Sequence, residues 1–446
     1  MSPFRAFALL VAGCAALRLA GQSATAPTDK TPAPDLPAPL NPEALVAEAL
    51  PQHPELRFYE ASLAAARAAA RRAGRLPHPE VSGDVGRIRS YNLDHSLAGE
   101  GIAWSASVQQ SFEWPGRLSL RKAIANQDVT LAELGLARFR SALAGRIRGL
   151  ALDLAAATEQ DRAAREVANR LQALREVLVQ RDPAGITPAL EIRVLEATEL
   201  TLRRRATEAG LAADHARTDL NLLRGRPADA PLALARIDPD PCPLPPLVEL
   251  AAAAATNNFE VRTRAVELAQ QGFRVELTRQ ERWPAFKVGP SYTHEDGSNL
   301  DRLLALAVSF PLPLWKNGEA NVEAARARQV QAETSLNAAR REVERALATA
   351  ARTYGVKSAE LALWREDSLR HFREAAELAD RHYRLGAVPA PTYVELQKQY
   401  LDAVETLLVT RRDLLAAALE LEQLTGLALL RPAAAAPGPS TQPGQP

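Results

Sequence analysis

Cysteine is almost missing from this sequence, which has only Cys14 and Cys242 among its 446 residues. Two cysteines can build neither a disulfide framework nor a cysteine-based metal site. The seven histidines show neither the HxxxH nor the HExxH spacing of a metal site on a helix. No glycine-rich nucleotide loop, Ser/His/Asp arrangement or paired-carboxylate motif stands out. We therefore expect no catalytic residue, no metal or cofactor site and no enzyme activity.

The sequence also has little net charge and few aromatic residues. Its 54 Lys and Arg residues nearly balance 53 Asp and Glu residues, which gives no support to nucleic-acid binding. Aromatic residues make up 5% of the chain, whereas alanine is abundant. This composition favours long helices packed closely side by side. Beyond the N-terminus, no run is long and apolar enough to predict a transmembrane helix.

The N-terminus has the pattern of an export signal. Arg5 precedes the apolar run 6–16, which is too short to span a bilayer. Cys14 ends the segment LVAGC, which resembles a bacterial lipobox, so one interpretation is a lipidated Cys14. The other is that Cys14 belongs to the apolar run and cleavage falls near residues 20–26. Both interpretations predict export, with a signal peptide over 1–26 and a Pro-rich linker over 27–41.

An internal repeat with an offset near 200 residues organises the chain. Five segments recur in the same order: HPELR with FEVR, RLPHPEV with RWPAFKV, SFEWPGR with SFPLPLWKNG, AGITP with GAVP, and LNLLRG with LEQLTG. The predicted units are repeat 1 (42–226, β-hairpin about 79–113, helical hairpin about 117–224), a Pro-rich connector (227–246), repeat 2 (247–430, β-hairpin about 285–311, helical hairpin about 318–428) and a disordered tail (431–446).

The predicted strands alternate between apolar and polar residues. Apolar Ile102, Trp104, Ala106 and Val108 are separated by polar or small residues, and the second repeat shows the same period. The pattern fits either a membrane barrel with a polar lumen or a soluble sheet packed on helices. Because four strands cannot close around a pore, a barrel would need several chains.

The hairpin loops are predicted at 92–101 and at 294–301, the segment HEDGSNLD. His294 in the second loop is interpreted as a solvated loop residue, with weak cation contact as the alternative.

Two helices are predicted to run without interruption, over 117–181 and 318–384. At 1.5 Å per residue each reaches roughly 100 Å, which no compact domain contains. Apolar residues spaced by threes and fours predict coiled-coil-type packing of the second: Leu336, Ala339, Val343, Leu347, Ala350 and Tyr354.

Each long helix ends in a reversal with Gly before Pro, DPAGITP and LGAVPAP. Gly suits a left-handed helix end and Pro suits a first helical turn. Two interpretations of these segments are open: simple turns, or exposed tips that dock a helical partner. The candidate docking and gating residues are Gly185, Thr187, Pro188, Gly386, Val388 and Pro389. The candidate strand-to-helix junction residues are Trp114, Pro115, Gly116, Pro313, Trp315 and Gly318.

With these features together, the chain resembles the TolC-like outer-membrane efflux protein family over about residues 40–430. The resemblance is carried by the twofold order of helix, strand pair and long helix, by the SFEWPGR and SFPLPLWKNG junctions, and by RHYRLGAVPAPTYVELQKQYLDA at 381–403. The first-half tip DPAGITPALEI matches less closely. SFEWPGR followed by a basic helix resembles the heavy-metal branch, which serves resistance-nodulation-division (RND) cation pumps.

The resemblance implies a homotrimer whose twelve-stranded β-barrel in the outer membrane continues into a helical periplasmic tunnel. The implied partners are a periplasmic adaptor, an inner-membrane RND transporter and outer-membrane lipid, with no nucleic acid. The implied function is passive, gated export of small solutes, with heavy-metal cations as a candidate cargo. Alternatives are a type I protein-secretion duct and a periplasmic coiled-coil adaptor or scaffold. An adaptor would need one hairpin flanked by a β-rich domain, whereas this chain has two.

Overall fold

The computed structural model describes residues 39–181, 189–235, 242–297, 299–311, 317–364, 368–385 and 387–429. Most of them are helical. The elements in chain order are α1 (Pro42–Gln52), α2 (Pro54–Ala73), β1 (Glu80–Tyr91), β2 (Leu97–Phe112), α3 (Arg117–Arg181), α4 (Ala189–Leu223), α5 (Leu247–Asn257), α6 (Phe259–Gln280), β3 (Phe286–Asp296), β4 (Leu300–Ser309), α7 (Asn317–Leu363), α8 (Ser368–Arg384) and α9 (Ala390–Thr425). None of these helices carries an apolar stretch sufficient to cross a membrane.

The same succession of elements occurs twice, and the helix ends repeat in detail. Between α1 and α2, the His53 ring accepts from the Glu55 N–H at 3.3 Å. Between α5 and α6, the Asn258 side chain accepts from the Glu260 N–H at 3.0 Å. Such side chains satisfy amides that the first helical turn leaves unpaired. Two copies of one structural unit therefore make up most of the described chain.

The last helix of each copy ends at a left-handed glycine that packs on the short first helix. Gly225 follows α4 with φ 66° and Gly426 follows α9 with φ 69°. A Cβ at Gly225 would lie 3.1 Å from Gln52 Oε1, and one at Gly426 would lie 3.2 Å from Asn257 Cβ. Both the backbone conformation and the close approach favour glycine.

An ion-pair cluster fastens α1 to the end of α4. Glu48 accepts from the Arg224 Nε and the Arg226 Nε, both at 2.9 Å. Arg224 is buried and also donates to Asn221. Burial raises the pKa of Glu48, but the hydrogen bonds from the two arginines outweigh it, so the pKa lies below its ordinary value.

One antiparallel sheet joins the two copies, in the strand order β1-β2-β3-β4. Its central pairing connects the copies, with Ile102 opposite Asp296 and Phe112 opposite Phe286. β1 and β4 are the edge strands. The two β-hairpins therefore lie side by side at one end of the helices.

The apolar contacts of the long helices form several clusters along their length instead of one compact core. One cluster joins α3, α4, α8 and α9, with Leu171, Leu195 and Tyr393 fully buried. A second joins α5, α7 and α9, and a third joins α1, α3 and α4. On α7, the predicted seam residues Leu336, Leu347, Ala350 and Tyr354 are buried, as coiled-coil-type packing requires.

Two predictions about continuity need correction. The helix expected over 318–384 is not uninterrupted, because α7 ends at Leu363, Trp364 lies in a bend and α8 begins at Ser368. The hairpin loops are also shorter than predicted. β2 begins at Leu97, so the first loop is 92–96, and β3 continues to Asp296, so His294 lies in a strand. Backbone pairing extends these strands through residues whose side chains no longer alternate.

Candidate functional site

The sheet has an apolar face that its own helices leave uncovered. Across the strands, Val81 lies opposite Val108, Tyr292 opposite Leu304, and Pro290 opposite Leu306. The exposed apolar side chains of this face include Val81, Val85, Ile102, Trp104, Val108, Leu304, Leu306 and Val308. Leu304 is 77% exposed and Leu306 is 70% exposed. A soluble sheet buries such a face on its core, so the soluble-sheet interpretation does not fit this packing.

The opposite, polar face carries small and hydrogen-bonding side chains. The hydroxyls of Ser82 and Ser107 lie 2.8 Å apart, and the Ser105 hydroxyl donates to Asp84 at 3.1 Å. Lys287 Nζ pairs with Glu80 at 2.5 Å. This face suits contact with water.

Aromatic residues mark two levels of the apolar face. Near the hairpin loops, the rings of Trp104 and Tyr292 are 5.3 Å apart. Near the helices, Phe112 and Phe286 stack at 5.8 Å, and Trp114 meets Phe286 edge-on at 5.9 Å. The two levels are eight residues apart on β2, or about 26 Å along the strand at 3.3 Å per residue. Aromatic girdles bound the apolar band of membrane strands in the same way.

The first predicted junction redirects the chain from β2 into α3. The Trp114 indole N–H donates to the Pro284 carbonyl at 2.9 Å, which ties the end of β2 to the start of β3. Pro115 and Gly116 form the turn, with φ 96° at Gly116. The positive φ favours glycine, and a Cβ there would also lie 3.3 Å from the Gln280 side-chain amide, which would have to shift.

Arg117, which the sequence analysis did not single out, forms the centre of this junction. Its side chain is 4% exposed and its guanidinium donates to the carbonyls of Gln280 and Trp283, where α6 ends. Beside it, Arg121 pairs with the buried Glu113. Only the RxxxR spacing at the start of a helix hinted at these residues, since the carbonyls that accept from Arg117 lie in the other repeat.

The second junction is only partly described. Pro313 and Trp315 lie outside the described residues. Gly318 lies in the first turn of α7, where an added Cβ would approach Arg282 Cγ to 2.9 Å. The two junctions thus both place a glycine against the segment that leaves α6.

The predicted tips are described only for the second copy, and there in part. Gly185, Thr187, Pro188 and Gly386 lie outside the described residues, as does Cys14. Val388 is half-buried, whereas Pro389 is exposed and stands at the N-cap of α9. The Ala387 N–H donates to the His382 carbonyl at 3.0 Å, which closes the end of α8.

A buried network next to this tip holds α8 against α9. The rings of Tyr383 and Tyr393 stack at 5.1 Å, and the Tyr393 hydroxyl donates to Asp380 at 3.3 Å. Asp380 also accepts from Arg384 at 3.0 Å. Burial, followed by the nearby Asp380 charge, raises the pKa of Tyr393. Tyr393 therefore stays protonated and able to donate at neutral pH.

Within the described ranges, no group of three or more His, Cys, Asp or Glu side chains is arranged to hold a metal ion. Cys242 is half-buried, and its carbonyl accepts from the Tyr354 hydroxyl at 2.8 Å. Its main contact is thus structural.

Comparisons with known proteins agree with this architecture. Residues 250–427 match the family model described as outer membrane efflux protein. A search of curated protein sequences found no match. Three similar solved structures are CusC (17% identity, TM-score 0.67, 87% of this chain and 92% of that chain), CmeC of Campylobacter jejuni (15%, 0.69, 87% and 86%) and VceC of Vibrio cholerae (15%, 0.66, 86% and 96%).

Because the sequence identities are low, the structural similarities establish the fold alone. CmeC is described as an outer membrane channel and VceC as an outer membrane protein. The outer-membrane localisation predicted from the sequence agrees with the family match and with these structures. The predicted resemblance to the TolC-like outer-membrane efflux proteins is therefore confirmed, in sequence for residues 250–427 and in fold for most of the chain.

Proposed function

We propose that this chain is the exit duct of a tripartite efflux system in the outer membrane, with a large periplasmic portion. The observation that carries the proposal is the two-faced sheet at the end of the long helices. Its exposed apolar face suits lipid, and its small, polar face suits a water-filled lumen. Export through such a lumen is passive and gated, and the chain supplies no catalytic step.

The proposed assembly is a homotrimer. Each protomer contributes four strands, and β1 and β4 leave their outer edges unpaired within the chain. Open edges do not occur in the hydrocarbon region, because their amides and carbonyls would lack partners. Pairing β4 of one protomer with β1 of the next satisfies these groups. Three protomers then give a twelve-stranded barrel that continues into a helical tunnel.

The proposed partners follow from the two ends of the molecule, the sheet and the helical tips. The apolar face contacts outer-membrane lipid, and the distant helical tips dock a periplasmic adaptor that connects to an inner-membrane RND transporter. Val388 and Pro389 are the described members of this docking set. The two-hairpin architecture favours a duct over the coiled-coil adaptor considered above.

The proposed cargo is small solutes, and SFEWPGR favours heavy-metal cations among them. Type I protein secretion is the competing use of the same duct. A gene for an RND cation transporter beside this one would favour the metal cargo, and a gene for a secretion ATPase would favour protein export.

Adjacent positions on β4 test the membrane assignment. Leu306 lies on the apolar face and Ala307 on the polar face. A lysine on the lipid face near the bilayer midplane costs about 2–4 kcal/mol, whereas a lysine in the lumen is solvated. We expect Leu306→Lys to lower the amount of trimer in outer-membrane fractions and Ala307→Lys to leave it near the wild-type level. Equal behaviour of the two variants, or a soluble periplasmic monomer in the wild type, would refute the proposal.

A further inference from the structure

The charged side chains of the apolar face are confined to its hairpin-loop end. Between the Phe112 level and the Trp104 level, this face carries no charged residue on any described strand. At and beyond the Trp104 level it carries six charged or titratable residues: Arg87, Arg89, Glu100, His294, Asp296 and Arg302. We call these six residues the loop-end cluster.

The loop-end cluster has an excess of cations. Glu100 is shared by two exposed arginines, Arg87 at 3.8 Å and Arg89 at 3.4 Å. Arg302 is exposed, and no carboxylate of the described chain lies within ion-pair distance of it. Directly opposite Arg302 stands His294, so two basic groups face each other across β3 and β4.

The other carboxylate of the cluster does not remove this excess. Asp296 lies opposite Ile102 and Leu300, diagonal to Arg302, and it forms no ion pair in the described structure. Three arginines therefore oppose two carboxylates, which leaves the cluster with an excess of positive charge.

The height of the cluster matches the headgroup layer of a bilayer. Ile102, opposite Arg87, is ten residues beyond Phe112, or about 33 Å along the strand. At a strand tilt of about 40° this gives about 25 Å, the height of the apolar band in outer-membrane barrels. Arg87 then lies at the boundary and Arg89 above it. Arg302 lies one level below, from where its long side chain reaches the interface.

We propose that the loop-end cluster binds the phosphate groups of lipids with a net negative charge in the outer leaflet of the membrane. The inference rests on the proposed function, which places the hairpin loops outside the cell and the apolar face against lipid. Arginine presents a fixed fork of N–H donors that suits phosphate oxygens. Glu100 holds Arg87 and Arg89 side by side and leaves most of their N–H groups free. No carboxylate of the described chain pairs with Arg302, so all of its guanidinium N–H groups can bind phosphate.

Native mass spectrometry of the full-length protein in neutral detergent tests the inference. The purified protein is titrated with phosphatidylglycerol or with phosphatidylcholine of the same acyl chains. We expect the wild type to retain the anionic lipid preferentially. An arginine near an anionic lipid surface contributes about five-fold to binding. Arg302→Gln, which leaves the Glu100 pairs intact, should therefore lose about five-fold of the preference. The triple variant Arg87→Gln/Arg89→Gln/Arg302→Gln should lose nearly all of it.

A second triple variant controls for net charge. Arg162→Gln, Arg193→Gln and Arg204→Gln remove exposed arginines from α3 and α4, and together they should leave the preference unchanged. Equal retention of both lipids by the wild type, an unchanged preference in Arg302→Gln, or an equal loss in the control would overturn the inference. Displacement of phosphatidylglycerol by inorganic phosphate would also overturn it, because the site would then be one for free phosphate.

The same spectra, together with outer-membrane fractionation, separate this inference from the proposed function. A trimer that fractionates with the outer membrane but shows no lipid preference contradicts the loop-end assignment alone. A monomer that does not fractionate with the membrane contradicts both.

Discussion

Replacing Arg117 by methionine removes the contact that joins the two copies at the strand-to-helix junction. The methionine side chain fills similar volume but donates nothing to the carbonyls of Gln280 and Trp283. The Gln280 carbonyl, at the last residue of α6, also accepts from the Trp283 N–H at 3.2 Å, whereas Arg117 is the donor that the described chain provides for the Trp283 carbonyl. The variant therefore removes two hydrogen bonds and leaves the Trp283 carbonyl without its donor, in a region where Arg117 is 4% exposed.

The expected loss of stability follows from these contacts. A hydrogen bond that involves a charged group contributes roughly 1.5–3 kcal/mol, and two are lost. Removing a buried guanidinium also relieves its desolvation, which offsets part of the loss. We take about 3 kcal/mol as the net effect. With about 2.1 cal/mol/K of unfolding entropy per residue, a chain of 446 residues should lose about 3 °C in its unfolding midpoint.

Thermal unfolding followed by far-ultraviolet circular dichroism in detergent measures this shift. Arg279→Met on the nearby α6 is the matched control, because Arg279 forms an exposed pair with Glu276 at 3.1 Å. Exposed pairs of this kind contribute about 0.3–0.5 kcal/mol, so the control should move the midpoint by less than about 1 °C. If both variants shift the midpoint equally, Arg117 does not hold the junction.

Two further predictions concern pH. Because the pKa of Glu48 is lowered below its ordinary 4.5, its ion pairs stabilise the fold above that pH and are lost as the pH falls. Glu48→Gln should therefore lower the unfolding midpoint at about pH 7 and differ less from the wild type at about pH 3.5, whereas a constant difference would contradict the reasoning; Glu60→Gln, which removes a more exposed pair, is the control. The raised pKa of Tyr393 means that the folded chain keeps a proton that the unfolded chain loses above about pH 10, so stability falls as the pH rises beyond that value. Tyr393→Phe should lose less stability on alkalinisation than the wild type or Tyr91→Phe, an exposed control, and identical alkaline profiles would exclude the effect.

The sequence contained the signals for the strands and for the first long helix. Alternation over Ile102–Phe112 places the apolar side chains on one face, and the sheet register agrees. The run 117–181 contains no proline and folds as one helix, α3. Both signals are local, because side-chain direction in a strand or helix follows from the backbone period.

The remaining features depend on distant contacts or on the surroundings of the chain. Alternation fades near His294, where Glu295 and Asp296 place carboxylates on opposite faces of β3, so the pattern suggested a loop where pairing continues. The interruption after Leu363 follows no proline or glycine in the sequence. The burial of Arg117 depends on carbonyls more than 160 residues away in the chain, at separations of 163 and 166. No local pattern reports such a partner.

The pairing of β2 with β3 also sets the order in which the four-stranded sheet can form. Ile102 and Asp296 are opposite each other in the sheet, yet α3, α4, the connector, α5 and α6 lie between them in the chain. The first β-hairpin is synthesised before the second copy. The free edge of β2 therefore stays unpaired until β3 is available. Closing so long a loop is slow, and isolated two-stranded hairpins are marginally stable in water. During this interval the hairpin exposes an apolar surface and two open edges. The unpaired first hairpin is therefore the part of the sheet most exposed to aggregation before the second copy has folded.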